Sequence, residues 1–150
     1  MTMLKKQLEF EEGRKLHAYI CPAGYKTIGV GHNLEANPRF DGELIPDQID
    51  DDFCDKLLDN DIKSVELQLR SRWFGFNKIL PGARRDAAIN MAFQMGVSGF
   101  LGFKKMVKAL ETGNWNKAYD EALDSDWARQ TPQRAKRVAG QLRSGQYYKC

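Results

Sequence analysis

Residues 2–11 set apolar groups at helical spacing, Met3 or Leu4 and then Leu8. The pattern predicts a short N-terminal helix that stops near Gly13, where glycine relieves the strain of a left-handed C-cap. From Leu16 to Leu34 the periodicity changes. Tyr19, Tyr25, Thr27, Ile28 and Val30 are strand formers, and Pro22-Ala23-Gly24 is a turn signal, so a β-hairpin or a three-stranded sheet is expected. Residues 35–46, with Asn37-Pro38, Asp41-Gly42 and Ile45-Pro46, read as a loop. Asp47 then has the character of an N-cap, with Asp50, Asp51 and Asp52 following where a helix dipole favours anions. Ile49, Phe53, Leu57, Leu58, Ile62, Val65 and Leu69 form one stripe of a long amphipathic helix over about 47–70.

Beyond Pro81-Gly82 the periodicity is helical throughout. Segments 83–95, 98–111, 115–125 and 132–144 are separated by Gly96, by Thr112-Gly113-Asn114 and by Ser125-Asp126-Trp127. Thr131 is a candidate N-cap and Pro132 a first-turn proline. The class is α+β: a sheet-bearing N-terminal lobe over about 12–60, a linker helix, and an all-helical C-terminal lobe over about 70–150. The helix over 2–11 is grouped with the C-terminal helices. At 150 residues the whole reads as one domain.

Composition changes this picture little. Apolar content (42%) and charge (29%) are those of an ordinary globular protein. No stretch has the length of a membrane span, and the first dozen residues lack the apolar core of a signal peptide, so synthesis in the cytoplasm without a signal peptide is expected. Cys21, Cys54 and Cys150 are odd in number and lack metal-ligand spacing. Reduced thiols, no metal and no cofactor are expected. The net charge of +3 conceals an asymmetry: residues 1–69 hold 8 Lys and Arg against 14 Asp and Glu, and residues 70–150 hold 15 against 6. A basic half suits nucleic acid, an anionic membrane or a polyanionic wall, and charge alone does not choose. No nucleic-acid motif accompanies it. The basic helix from Pro132 carries too few apolar residues for stable membrane insertion.

The chemistry concentrates in Glu12-Gly13-Arg14-Lys15-Leu16-His17-Ala18-Tyr19-Ile20-Cys21-Pro22-Ala23-Gly24-Tyr25-Lys26-Thr27-Ile28-Gly29-Val30-Gly31-His32. An acid stands at a helix end, and the extended stretch after it carries a thiol and a hydroxyl able to fold back towards the acid. A glycosidase needs a carboxylic acid that retains its proton near neutral pH to protonate the leaving oxygen. By themselves Cys21 and Thr27 are a small hydrophobe and a strand former. Their spacing alters that. Eight residues separate Glu12 from Cys21, and five separate Cys21 from Thr27.

This block resembles the catalytic segment of phage lysozymes, glycoside hydrolase family 24, in which a Glu, an Asp (Cys in some members) and a Thr flank the scissile bond. Two further blocks resemble the same family in the same order. They are Ala88-Ile89-Asn90-Met91-Ala92-Phe93-Gln94-Met95-Gly96 and Trp127-Ala128-Arg129-Gln130-Thr131-Pro132-Gln133-Arg134-Ala135-Lys136-Arg137-Val138. The likeness covers residues 12 to 138, with 35–80 alike in pattern only. It implies a lysozyme-like fold and an endolysin of the muramidase type. Glu12 would be the general acid, and Thr27 would hold the attacking water. Arg134 would orient the glutamate, while His32, Phe93, Gln94 and Trp127 would line or brace a saccharide cleft.

Cys21 stands where better-known members carry aspartate. A thiol with an ordinary pKa near ~8.5 is a poor base at neutral pH unless its thiolate is stabilised. Three roles stay open: base, nucleophile, or passive neighbour of Glu12. The resemblance also implies a monomer that acts on peptidoglycan and crosses the membrane through a holin pore to lyse its host. Two rivals remain, a cationic wall- or membrane-disrupting protein with weak catalysis and a chitin-directed glycosidase.

Overall fold

The computed structural model describes residues 1–79 and 82–150. The expected break at Pro81 lies outside the described residues. The chain divides into two compact units, Met1–Lys63 and Ser64–Cys150. The division falls inside the long helix expected to link two lobes.

The first unit opens with α1 (Met3–Glu12), capped by the Thr2 hydroxyl on Lys5 N and closed by Gly13 at φ 78°. Leu4, Gln7 and Leu8 form its buried face. Strands β1 (Lys15–Ile20), β2 (Lys26–Gly29) and β3 (His32–Asn33) make an antiparallel sheet in that order. Tyr19 pairs with Thr27, and Ile28 pairs with His32. A bulge between Lys15 and Tyr19 shifts the register of β1. Four steps along β1 there face two along β2, and extra residues of this kind bend the strand and re-aim the side chains beyond it. Ile28 and Val30 are buried beside Leu34 in this unit's core.

α1, which the sequence reading grouped with the C-terminal helices, is tied into this first unit by charge. Lys5 Nζ lies 2.5 Å from Asp59. Arg14 follows α1 directly and reaches Glu9 (2.8 Å), Asp51 (3.0 Å) and Asp55 (2.5 Å).

Two local expectations are corrected. The loop over 35–46 contains a second hairpin, β4 (Arg39–Phe40) with β5 (Glu43–Leu44), turning at Asp41 (φ 56°) and Gly42 (φ 83°). A two-residue turn with both central φ positive matches the twist of a hairpin, which explains the Asp-Gly pair. The linker helix is α2 (Asp51–Arg72), and Asp50, rather than Asp47, caps it by accepting from Phe53 N at 2.8 Å. Asp47 instead holds Lys26 at 2.8 Å, and its carbonyl accepts from Ala18 N. Cys54, Leu57, Leu58 and Leu69 are buried on α2, whereas no residue of 59–68 is. Ile62 and Val65 are half-buried, so the expected apolar stripe thins at the helix centre.

In the second unit a 3-10 turn (Phe74–Lys78) leads to α3 (Ala83–Met95), α4 (Val97–Leu101), α5 (Lys104–Glu111), α6 (Trp115–Leu123), α7 (Asp126–Gln130) and α8 (Pro132–Ser144). The expected helix 98–111 is two helices, interrupted at Gly102-Phe103, and the expected separator at 125–127 begins α7. Ser125 accepts from Ala128 N and supplies that helix's N-cap. Thr131 occupies the N-cap position of α8, but its hydroxyl makes no cap bond and donates to Trp127 O at 3.0 Å. α8 packs on α3 and α6. Ile89, Met91, Phe100, Met106, Leu110 and Leu142 are almost wholly buried around these contacts. No helix among the described residues is long and apolar enough to cross a membrane.

Candidate active site

Glu12 is the last residue of α1, half-buried, and its carboxylate lies over Gly31. A Cβ at Gly31 would sit 2.8 Å from Glu12 Oε1 and 2.9 Å from its carboxyl carbon. Gly31 also has φ 65°, a conformation that disfavours any other L-residue. The glycine after Val30 is thus the floor on which the acid rests.

Cys21 follows β1 and heads a tight turn. Its N–H donates to Tyr25 O at 3.0 Å, and Gly24 N donates to its carbonyl at 2.8 Å. Pro22-Ala23-Gly24 therefore does what the turn signal promises, and it presents a half-exposed sulfur. Thr27 lies on β2, 2% exposed, with its hydroxyl 3.1 Å from Tyr25 O. Desolvation alone would push the Cys21 thiol up. Hydrogen bonds from the backbone of Tyr25, from the Thr27 side chain and from the backbone of Ala23 and Gly24 outweigh it and hold the thiol below its ordinary value. Donors aimed at a sulfur favour its anionic form.

Tyr19 and Tyr25 report on the same cluster. Burial raises the Tyr19 phenol, and the negative charges of Glu12 and then Cys21 raise it further. Burial raises Tyr25 likewise, followed by Cys21, Glu12 and a hydrogen bond to Cys21. Tyr19 pairs with Thr27, the Cys21 N–H donates to Tyr25 O, and Gly31 under the Glu12 carboxylate follows β2, so one small sheet of the first unit carries the acid, the thiol and the threonine. Sequence reasoning took the two tyrosines only as strand formers. Their signal was the alternation that puts Tyr19 opposite Thr27 across the ladder.

His32 is a brace. It is 5% exposed, with Nδ1 2.7 Å from Asp61 Oδ2 and Nε2 2.7 Å from Asn37 O. Both ring nitrogens face acceptors. Burial disfavours the charged ring, yet the Asp61 hydrogen bond and charge, with the Asn37 carbonyl, carry its pKa above the ordinary value. Asn37 reads in the sequence only as part of a loop, and Asp61, 29 residues from His32, leaves no local pattern.

The remaining residues lie in the second unit and form two groups. Trp127 is buried and donates from Nε1 to Gln94 Oε1 at 2.8 Å. Gln94 Nε2 lies 3.4 Å from Thr131 Oγ1, which closes the ring to Trp127 O. Phe103 meets the Trp127 ring edge-on, with centroids 6.2 Å apart. Phe93 is half-buried on α3 next to Gln94. Arg134, also buried, donates to Asn90 Oδ1 at 3.0 Å, and Asn90 Nδ2 donates to the Tyr148 hydroxyl at 3.1 Å. Asn90 and Tyr148 thereby fix a guanidinium that the sequence marked without its supports. Among the described residues, no group of three or more His, Cys, Asp or Glu is arranged to hold a metal ion.

A family model described as phage lysozyme matches residues 9–144. Two proteins of Dictyostelium discoideum, probable T4-type lysozymes 1 and 2, are 31% and 32% identical over 164 residues. In each case the match covers 97% of this chain and 96% of the relative. The pre-baseplate central spike protein Gp5 of Enterobacteria phage T4 is 32% identical over 156 residues, covering 90% of this chain. The chain spans only 26% of that spike protein's length.

Proposed function

Since the chain belongs to the phage lysozyme family of glycoside hydrolases, we propose that it is a muramidase. Its substrate is the β-1,4 bond between N-acetylmuramic acid and N-acetylglucosamine in bacterial peptidoglycan. The reading rests on one observation above the others. The Glu12 carboxylate rests over Gly31 just beyond β2, and the Cys21 turn is hydrogen-bonded to Tyr25 beside Thr27 of β2, so one small sheet carries an acid, a thiol and a hydroxyl.

The chemistry follows from those groups. Glu12 gives its proton to the glycosidic oxygen as the bond from that oxygen to the anomeric carbon breaks. A water held by Thr27 adds to the anomeric carbon and loses its proton to the Cys21 thiolate. Thr27 donates its proton to Tyr25 O, which leaves its oxygen free to accept from the water. Cys21 as base gives inversion at the anomeric carbon. Cys21 as nucleophile would form a sulfur–carbon bond and give retention. The lowered thiol pKa favours an active sulfur over a passive one. Gln94, Trp127 and Phe93 shape the saccharide surface, and His32 keeps the β3 segment in place. The protein acts as a monomer, without nucleic acid, and reaches the wall of its host after the membrane is permeabilised by a holin-type pore.

Mass spectrometry of products from purified peptidoglycan tests the proposal. New reducing ends on N-acetylmuramic acid are expected with the parent protein and not with Glu12→Gln. Reducing ends on N-acetylglucosamine, or lysis of cells without any glycan cleavage, would overturn it.

A further inference from the structure

α5 and α6 meet at the turn Thr112-Gly113-Asn114 and leave a cavity of roughly 370 Å³ in the second unit. Six of its seven lining residues are polar, its lysines are exposed, and its charge is one-sided. Lys105, Lys108 and Lys117 bring three ammonium groups to it, with Glu121 the one carboxylate. None of the three lysines stands in an ion pair with a carboxylate of the described residues. Like charges facing one concavity repel, and an anion placed among them relieves that repulsion. α6 adds to the field, because Asn114 caps its N-terminus by accepting from Lys117 N at 3.2 Å. The cavity thus lies at the positive end of a nine-residue helix as well as among three lysines.

We propose that this cavity binds the phosphate of a phosphorylated sugar, as carried by an anionic glycopolymer of the bacterial envelope. Three donors of point charge suit a dianion better than a single carboxylate. The space exceeds what a phosphate needs and falls in the range of small-molecule sites. The rest of the lining fits hydroxyls. Thr112 spends its proton on the carbonyls of Lys108 and Ala109, both at 3.2 Å, which leaves its oxygen as an acceptor. The capping bond occupies Asn114 Oδ1 and leaves its amide nitrogen as a donor. Glu121 accepts hydroxyls and repels a second anion at its own end. Ala109 is the only apolar residue in the lining. A membrane-docking site would need apolar anchors, so a hydrophilic ligand is favoured over a lipid surface. The site shares no residue with the catalytic groups and would hold the protein on a charged envelope polymer independently of turnover.

Amide NMR of the full chain tests the proposal, with glucose 6-phosphate, inorganic phosphate, glucose and phosphatidylglycerol vesicles as probes. Glucose 6-phosphate should give saturable shifts confined to residues 105–121, at least tenfold tighter than glucose and several-fold tighter than inorganic phosphate. The combined variant Lys105→Ala, Lys108→Ala, Lys117→Ala should lose that binding at least tenfold. A charge-matched control, Lys63→Ala, Lys78→Ala, Lys149→Ala, should keep it. All three proteins should cleave a soluble peptidoglycan fragment at the same rate. Linear shifts spread over every surface lysine, or equal loss in the control, would overturn the site. Inorganic phosphate binding as tightly as the sugar phosphate would overturn the sugar assignment. Vesicle binding that is lost in the cavity variant, with no response to glucose 6-phosphate, would reassign the cavity to a lipid headgroup and overturn the proposal.

Discussion

Gly31 shows how narrowly a single residue holds the acid. An added Cβ there would meet the Glu12 carboxylate at 2.8 Å, and the backbone sits at φ 65°. Gly31→Ala should cost about 1–2 kcal/mol from the left-handed backbone. For a chain of this size that lowers the melting temperature by roughly 2–8 °C, readable by calorimetry. Activity at a temperature where the variant is fully folded should fall more, by at least about tenfold, because Glu12 is displaced. A variant that melts early yet works normally would show that Glu12 tolerates the shift. Cys21 is tested by exchange. Cys21→Asp restores the carboxylate of other family members and should retain or raise the rate of glycan cleavage. Cys21→Ser keeps the size, but an alcohol is far harder to ionise than a thiol, so a large loss is expected. An unchanged rate in Cys21→Ser would make the sulfur a spectator.

At the scale of elements, the His32–Asp61 pair joins β3 to α2 within the first unit. Asp61 holds the His32 ring above its ordinary pKa despite burial. A histidine raised in the fold stabilises fully below its unfolded value, about 6.5, and that contribution is lost as pH rises through the folded value. The destabilisation caused by Asp61→Asn should therefore be larger near about pH 5 than above about pH 8. Urea unfolding at the two pH values reads it, and an equal effect at both would mean that the pair is not charged in the fold. Elements with strong local signals were legible in the sequence. α1 closes at Gly13, β1 to β3 follow the strand formers, and α3 and α8 fall at 83–95 and 132–144 as their spacing predicts. What was missed had weak or competing signals. Strands β4 and β5 have two residues each, too short to show alternation, although Asp41-Gly42 marked their turn. Four aspartates from 47 to 52 offered rival caps, and the pairing of Lys26 with Asp47 decided for Asp50. In the candidate site, spacing singles out Glu12, Cys21 and Thr27, and the structure sets them on and beside one small sheet. Gly31, Tyr25, Asn90 and Asp61 were not legible in the sequence, because their roles depend on contacts across the fold.

Across the whole molecule, charge is divided between the two units. Residues 1–63 hold 8 Lys and Arg against 13 Asp and Glu, and residues 64–150 hold 15 against 7. A basic second unit raises local attraction to a polyanionic wall, and salt screens it. Lysis of intact walls should weaken as ionic strength rises, whereas cleavage of a short neutral fragment should change much less. Equal salt dependence on both substrates would remove the steering role. The central claim, that Glu12 is the proton donor of a glycosidase, is tested most directly by the rate of reducing-end release from purified peptidoglycan, compared between the parent and Glu12→Gln. With the variant shown to fold by circular dichroism, the account predicts a fall of at least about 10²-fold. Release by Glu12→Gln at the parental rate would contradict it.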